Sequence, residues 1–252
     1  MSVASRTFDV AIIGGGPAGI AAAVSASASG ARVAMIDEGS APGGQIWRDK
    51  LGTPASGAAR RWKERLASSS ASVLSSTSIV DASRTDRGFR IAAQQGADAL
   101  TIEAATLIIA TGARERFLPF PGWTLPNVVG VGGAQALLKT GMSVRGRRVV
   151  LAGSGPLLLP VAASLAGAGA KLALVAEQTT LNALAGYSLS LWRTPAMLVQ
   201  AARLRAAFIG TRYATNTWVT RASGEDRVRS VEVSNGRSTR EIECDLLCTA
   251  FG

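Results

Sequence analysis

The apolar positions of this chain fall into short bursts of two kinds, and their alternation predicts the fold. Phe8 to Ile13 is an apolar run rich in β-forming residues, which predicts a buried parallel strand. A glycine cluster follows. Pro17 then stands where a helix would begin, a position at which its missing N–H costs little. The small residues from Ala18 to Ser29 predict that helix, and Gly30 can close it in a left-handed conformation. Val33 to Asp37 predicts a second strand, completing a β-α-β unit. Arg60 to Leu66 predicts part of a polar-faced helix. The stretch from Ser68 to Ser78 is serine-rich, but Val73, Leu74, Ile79 and Val80 recur in and beside it, so a short loop and a strand are expected. Phe89 to Ala93, Leu100 to Glu103 and Leu107 to Ala110 predict further strands, with turns near Arg87-Gly88 and Gly96.

After Gly112 the same plan begins again. Gln135 to Thr140 predicts a helix, Arg148 to Ala152 a strand, Pro156 to Ala168 a helix and Leu172 to Ala176 a strand. Pro195 to Phe208 predicts a helix with a basic face. Trp218 to Arg221 and Val228 to Val233 suggest a second meander, and Cys244 to Thr249 a last strand. The expected fold class is therefore α/β, with two Rossmann-like dinucleotide-binding domains, each made of a parallel sheet, flanking helices and a β-meander. The expected division is 1–116 and 117–252.

Composition sharpens this picture in a few places. The 252 residues include 28 glycines and are 47% hydrophobic, which suits an α/β core rather than a disordered chain. The net charge of +10 raises the question of nucleic acid. The arginines are scattered, however, with no long basic run interleaved with aromatics, and no nucleic-acid partner is expected. The uncharged stretch Val149 to Ala170 is long enough to span a bilayer. Gly153, Gly155, Pro156 and Pro160 divide it into strand, turn and helix, so no integral membrane segment is expected. Two cysteines, Cys244 and Cys248, are too far apart on a strand to pair, and a reducing cytoplasm is the expected compartment. With no histidine, the chain lacks His-based triads and any His general base. No catalytic residue and no metal ligand is singled out.

The candidate chemistry lies in the glycine turns. Gly14-Gly15-Gly16-Pro17-Ala18-Gly19 has the spacing G-x-G-x-x-G after a strand and before a helix. Gly14 permits the turn, Gly16 lets a pyrophosphate approach the backbone, and Gly19 lets the helix pack on the strand. The free N–H groups and positive dipole end of the helix favour a diphosphate. Asp37-Glu38 ends the second strand, with Glu38 twenty-four positions after Gly14, where a carboxylate can hold the two hydroxyls of an adenosine ribose. In the second half, Gly153-Ser154-Gly155-Pro156-Leu157-Leu158 repeats the first two glycines and replaces the third by Leu158. Glu177 lies twenty-four positions after Gly153, which favours a free 2′-hydroxyl and hence NAD, or another adenine nucleotide, over NADP.

These motifs, with Gly43-Gly44-Gln45-Ile46-Trp47-Arg48 and Ala110-Thr111-Gly112, resemble the flavoproteins with two dinucleotide-binding domains, the thioredoxin-reductase and glutathione-reductase types. A narrower resemblance rests on Pro42 to Arg48, Ala113-Arg114-Glu115-Arg116, Phe120 to Pro126 and Gly132-Gly133-Ala134-Gln135. These segments are similar to the A-type flavoprotein subunits of octopine and nopaline oxidases and their relatives in hydrogen cyanide synthase and in hydroxyproline or proline dehydrogenase complexes. The resemblance implies FAD bound by Gly14, Gly16, Pro17, Ala18, Gly19, Asp37, Glu38, Gly43, Gly44, Gln45, Ala110, Thr111 and Gly112, with Val80 contacting adenine through its backbone. It implies a second nucleotide at Gly153, Gly155, Pro156 and Glu177. It also implies a subunit that passes electrons from amine or imino-acid oxidation, working beside a catalytic FAD-dependent partner subunit. The family's return segment to the FAD domain and its cysteine-rich C-terminal region would be expected beyond the 252 residues. The redox C-x-x-C of the disulfide reductases is absent from the sequence. Two alternatives stand beside this reading: a stand-alone NADH-dependent flavin oxidoreductase, and a truncated nucleotide-binding module without catalysis.

Overall fold

The computed structural model describes residues 4–48 and 57–251; Met1 and Gly252, the outer limits of the two expected domains, lie outside them. The chain forms two compact units, Met1–Ala113 and Arg114–Gly252.

In the first unit, β1 (Ala4–Ile13), α1 (Pro17–Ala28) and β2 (Val33–Ile36) make the expected β-α-β. Next come α2 (Gly57–Ala67), β3 (Ser72–Leu74), β4 (Thr77–Thr85), β5 (Gly88–Gln95) and β6 (Asp98–Ile109). One six-stranded sheet runs β3-β2-β1-β6-β5-β4, parallel from β3 to β6 and antiparallel from β6 to β4. Alternation along the strands divides the core between the two faces. Ile12, Val33 and Met35 pack with Ile20 and Ala23 of α1 and Leu66 of α2, while Ala11, Ala34 and Ile36 pack with Leu74, Ile91, Leu100 and Ile102 on the other face.

Two strands expected at Leu100 to Glu103 and Leu107 to Ala110 are one. β6 runs unbroken because β1 pairs along it from Ala4 opposite Leu100 to Ile13 opposite Ile109, spanning both apolar runs, while its first half also pairs with β5. No turn residue separates the two apolar runs, only Ala104, Ala105 and Thr106.

The second unit contains β7 (Val128–Gly130), α3 (Val131–Lys139), β8 (Arg148–Gly153), α4 (Leu158–Gly167) and β9 (Lys171–Glu177). It continues with α5 (Leu181–Ser190), α6 (Pro195–Ala206), β10 (Tyr213–Ala214), β11 (Trp218–Ser223), β12 (Ser230–Ser234), β13 (Thr239–Glu243) and β14 (Leu246–Ala250). A parallel sheet runs β10-β9-β8-β14-β7, and β11-β12-β13 form an antiparallel meander. The parallel strands are buried on both faces. Val149 and Leu151 meet Leu158, Val161 and Leu165 of α4, while Val150 and Ala152 meet Ala222, Val231 and Val233 of the meander. The Arg148 backbone N–H donates to Asp245 Oδ2 at 2.8 Å, and its guanidinium pairs with Asp245 and Glu243, fixing the start of β8 against the turn into β14.

Sequence patterning misses β7, α5, β10 and β13, which are short, polar or of mixed pattern. It also sets α4 two residues early: Pro156 lies in the turn, and the helix begins at Leu158. Among the described residues no helix is long and apolar enough to cross a membrane, so the run from Val149 is β8, a turn and α4.

Candidate functional site

In the first unit the chain leaves β1 at Gly14 and enters α1 at Pro17. Gly14 has φ +107°, and a Cβ there would collide with the carbonyl oxygen of Ala110 at the end of β6. A Cβ on Gly19 would collide with the carbonyl oxygen of Gly14. These two glycines are required for the turn and the helix to sit this close. Gly16 differs: a Cβ there meets nothing within 4 Å, so its backbone faces open space. Gly16 is also the N-cap of α1, and no side chain caps the helix. Helix geometry gives the Ala18 and Gly19 N–H groups no i−4 acceptor, while the Ile20 N–H is already taken by Gly16 O at 2.9 Å. An open backbone at the positive end of an uncapped helix suits a diphosphate.

Asp37 holds this turn in shape. Its Oδ2 accepts from the Gly15 N–H and its Oδ1 from the Gly39 N–H at 2.8 Å. Glu38, the next residue, is exposed at the rim. The Gly43–Gly44 loop is tied to the same turn: the Gly43 N–H donates to Gly15 O at 2.7 Å, and a Cβ on Gly44 would lie 2.9 Å from the Gly16 Cα. Gln45 follows in that loop. Ala110 bonds through its N–H to Ile13 O at 2.8 Å, which brings Ala110, Thr111 and Gly112 beside Gly14. The structure thus gathers Gly14, Gly16, Pro17, Ala18, Gly19, Asp37, Gly43, Gly44, Ala110 and Thr111 around one turn, with Glu38, Gln45 and Gly112 adjoining them in the chain. Val80 stands apart from this cluster. It is the extra residue of a β-bulge on the edge strand β4, three positions after Thr77, whose N–H bonds to Asp37 O at 2.9 Å.

The second unit repeats the turn with differences. A Cβ on Gly153 would collide with the Ala250 carbonyl, whereas a Cβ on Gly155 would meet nothing within 4 Å. Leu158, in place of a third glycine, is fully buried in the helix-side core. Its side chain could not fit the tight contact made by Gly19, and α4 accordingly starts five residues after Gly153, while α1 starts three after Gly14. Glu177 is only 1% exposed. Its carboxylate accepts from the Thr179 N–H at 3.0 Å and the Tyr213 hydroxyl at 3.3 Å. Burial, followed by the Glu177 charge and hydrogen bond, raises the Tyr213 pKa well above the usual tyrosine value.

Two features of the second unit have no role legible from sequence. Glu115 accepts from the Gly132 N–H at 2.7 Å and the Gly133 N–H at 3.0 Å, so a carboxylate of this unit caps the start of α3. The signal is present as two glycines at a helix start and an acid upstream, but only the fold sets one beside the other. Tyr213 carries no sequence signal, because β10 is only two residues long. Both cysteines are buried and unpaired. Burial pushes the Cys244 thiol up to about 12 and raises that of Cys248 further. Among the described residues no group of three or more His, Cys, Asp or Glu is placed to hold a metal.

Two strand–glycine turn–helix units, each carried by parallel strands, the first in a mixed sheet and the second in a parallel one, define a protein with two dinucleotide-type folds. Residues 8–252 match the family described as pyridine nucleotide-disulphide oxidoreductase, and the chain belongs to that family of flavin oxidoreductases. The A subunit of opine oxidase from Agrobacterium tumefaciens is 38% identical over 182 residues, covering 66% of this chain and 36% of that protein. The HcnB subunit of hydrogen cyanide synthase from Pseudomonas protegens is 33% identical over 239 residues, covering 88% of this chain and 50% of that protein. The chain thus spans half or less of the length of these relatives. The fold is shared with L-proline dehydrogenase from P. horikoshii, at 22% identity and a TM-score of 0.63, covering 100% of this chain and 43% of that one. It is also shared with thioredoxin reductase from T. acidophilum, at 24% identity and a TM-score of 0.72, covering 98% and 77%.

Proposed function

We propose that this chain carries the FAD- and nucleotide-binding units of an oxidoreductase subunit that passes on electrons from the oxidation of an amine or imino acid. The observation that carries the FAD reading is the contrast among the three glycines of the first turn: Gly14 and Gly19 are closed in by backbone, and Gly16 opens onto space at an uncapped helix start. In this reading the diphosphate rests on Gly16 and the Ala18 and Gly19 amides. Glu38 holds the ribose while Asp37 keeps the turn in shape. Gly43, Gly44, Gln45 and Ala110 to Gly112 border the rest of the cofactor, and the backbone at Val80 meets adenine. The FAD unit is the first compact unit, Met1–Ala113, and the second nucleotide unit is Arg114–Gly252. The second turn, with Gly153, Gly155 and Pro156, receives NAD or another adenine nucleotide. The flavin, when bound, supplies the redox chemistry; the chain orients it and offers no histidine for proton transfer.

The partner in this reading is a catalytic FAD-dependent subunit that oxidises the substrate. The names of the relatives support it: the A subunit of opine oxidase, the HcnB subunit of hydrogen cyanide synthase and, at 30% identity over 197 residues, the alpha subunit of sarcosine oxidase from Corynebacterium. The surface of the second unit supports it too. α5 and α6 contribute no buried residue, Trp192 between them is 74% exposed, and the exposed Arg193 and Arg203 stand beside it and on α6. Exposed apolar side chains with nearby cations suit a partner with an acidic rim. Two buried free thiols fit a cytoplasmic setting.

The test is to purify the full chain with and without its catalytic partner, then follow the flavin spectrum on adding secondary amines and imino acids. The reading predicts bleaching of flavin held by this chain only when the partner is present. A chain that takes up no FAD under either condition contradicts it.

A further inference from the structure

The acid beside the second glycine turn is held by a tyrosine. Gly153 pairs with Glu177 across β8 and β9, so the acid stands level with the turn. Its backbone is fixed on both sides: the Gln178 N–H donates to Gly153 O at 2.7 Å, and the Glu177 carbonyl accepts from the Thr217 N–H at 3.0 Å. Only the side chain keeps its freedom. Its Oε1 accepts from the Thr179 N–H at 3.0 Å and its Oε2 from the Tyr213 hydroxyl at 3.3 Å. A carboxylate oxygen has two acceptor sites, so each of the two keeps one for a further donor. Two oxygens with one open site each match the neighbouring 2′- and 3′-hydroxyls of a ribose.

Tyr213 is itself held in place. It pairs with Val175 where β10 joins β9. The Arg205 guanidinium lies 5.9 Å from the centre of its ring and 4.9 Å from that of Phe208. The same guanidinium donates to the carbonyls of Phe208 at 2.9 Å and Thr211 at 3.2 Å, which ties the end of α6 to the approach to β10. Burial, with the Glu177 charge after it, keeps the phenol protonated well beyond neutral pH, so it remains a donor under working conditions. The first unit has no such group. There β3 flanks β2 as β10 flanks β9, and β3 is Ser72–Leu74, without a tyrosine.

We propose that Tyr213 is a positioning residue of the second nucleotide site: its hydroxyl keeps the Glu177 carboxylate turned so that both oxygens can accept from the adenosine ribose. This rests on the reading that the second turn binds an adenine nucleotide whose ribose meets Glu177. Without the hydroxyl one carboxylate oxygen loses its anchor, and the ribose must order the side chain on binding.

The test measures calorimetrically the affinity of the full chain, already saturated with FAD, for NAD+ and for the NAD+ analogue that lacks the adenosine 2′-hydroxyl. Wild type is expected to bind NAD+ about tenfold more tightly, the effect of one hydrogen bond to a charged group. Tyr213→Phe keeps the ring beside Arg205 and removes the donor. It is expected to weaken NAD+ about five- to tenfold, to change the analogue by twofold or less, and so to shrink the gap to about threefold or less. A hydroxyl that only supports the fold would weaken both ligands alike, so a gap that stays near tenfold in Tyr213→Phe overturns the proposal. A second readout leaves Tyr213 intact. The chain has two tyrosines, so Tyr187→Phe makes Tyr213 the sole one. With its ring Cζ labelled with carbon-13, its resonance is expected to shift on saturation with NAD+, because the ribose draws on the same carboxylate; a resonance that NAD+ leaves unmoved overturns the proposal. Wild type that binds no NAD+, or binds both ligands equally, overturns instead the reading of the second turn and Glu177.

Discussion

Replacing Gly16 by alanine separates the fold from its ligand. The residue has φ −74° and ψ −175°, a conformation alanine adopts without strain, and its Cβ would meet nothing within 4 Å. In the ligand-free chain the change therefore adds no clash. It reduces the entropy of the unfolded chain, so stability should hold or rise by about 0.4–1 kcal/mol. In a chain of this size that is an upward shift in Tm of a few degrees, about 1–4 °C. The ligand meets a different situation, because the methyl group stands where a phosphate must approach. Charge-assisted hydrogen bonds contribute about 1.5–3 kcal/mol each. Holding the diphosphate off two amides should cost about 3 kcal/mol, a loss of roughly 150-fold in Kd. The assay pairs thermal unfolding of the apo chain with a flavin-fluorescence titration. Gly19→Ala is the control: its Cβ would collide with the Gly14 carbonyl, so that variant should lose about 1–3 kcal/mol of stability along with FAD. If Gly16→Ala binds FAD within about threefold of wild type, the diphosphate does not rest on this turn.

Other expected outcomes follow from the second unit. Glu115→Ala should lower stability by about 1–2 kcal/mol in chemical denaturation, since two N–H groups at the start of α3 lose their acceptor. Neither Cys244 nor Cys248 should react with a thiol reagent at neutral pH in the native state, because burial raises both thiols and leaves little thiolate; two should react in denaturant. The Arg148 backbone N–H and guanidinium hold Asp245 below the usual carboxylate value of 3.8. The folded pKa is thus the lower one, so the stability Asp245 contributes is fully present above pH 3.8 and is lost as pH falls through the depressed value. Acid-unfolding curves should show that step shrinking in Asp245→Asn.

The sequence carries the first unit's turn almost completely, because the spacing of its glycines between an apolar strand and a small-residue helix is itself the signal, even where the contact that demands a glycine, such as Ala110 against Gly14, comes from far along the chain. The β1–α1–β2 path, the helix stop at Gly30 and the closeness of Gly43–Gly44 to Gly15–Gly16 all agree with the pattern. The second unit is less legible. Counting to Glu177 gives the same spacing as counting to Glu38, but a single extra residue in β9 sets Glu177 level with its glycine, whereas Glu38 lies one residue beyond. A one-residue bulge inside a continuous apolar run leaves no trace in periodicity. The Glu177–Tyr213 and Glu115–Gly132 contacts join residues far apart in the chain, and β10 is too short to show any pattern. The long β6 reads as two strands because its middle is only small and polar residues, and pairing along β1 overrides that weak local signal.

Whether FAD seats its ADP half on the first glycine turn decides the rest. Equilibrium titration of the full wild-type chain with FAD, repeated in the presence of ADP and of FMN, measures this. Saturable binding of one FAD per chain, displaced by ADP and untouched by FMN, is the predicted result. FAD that fails to bind, or that FMN displaces while ADP does not, would contradict it.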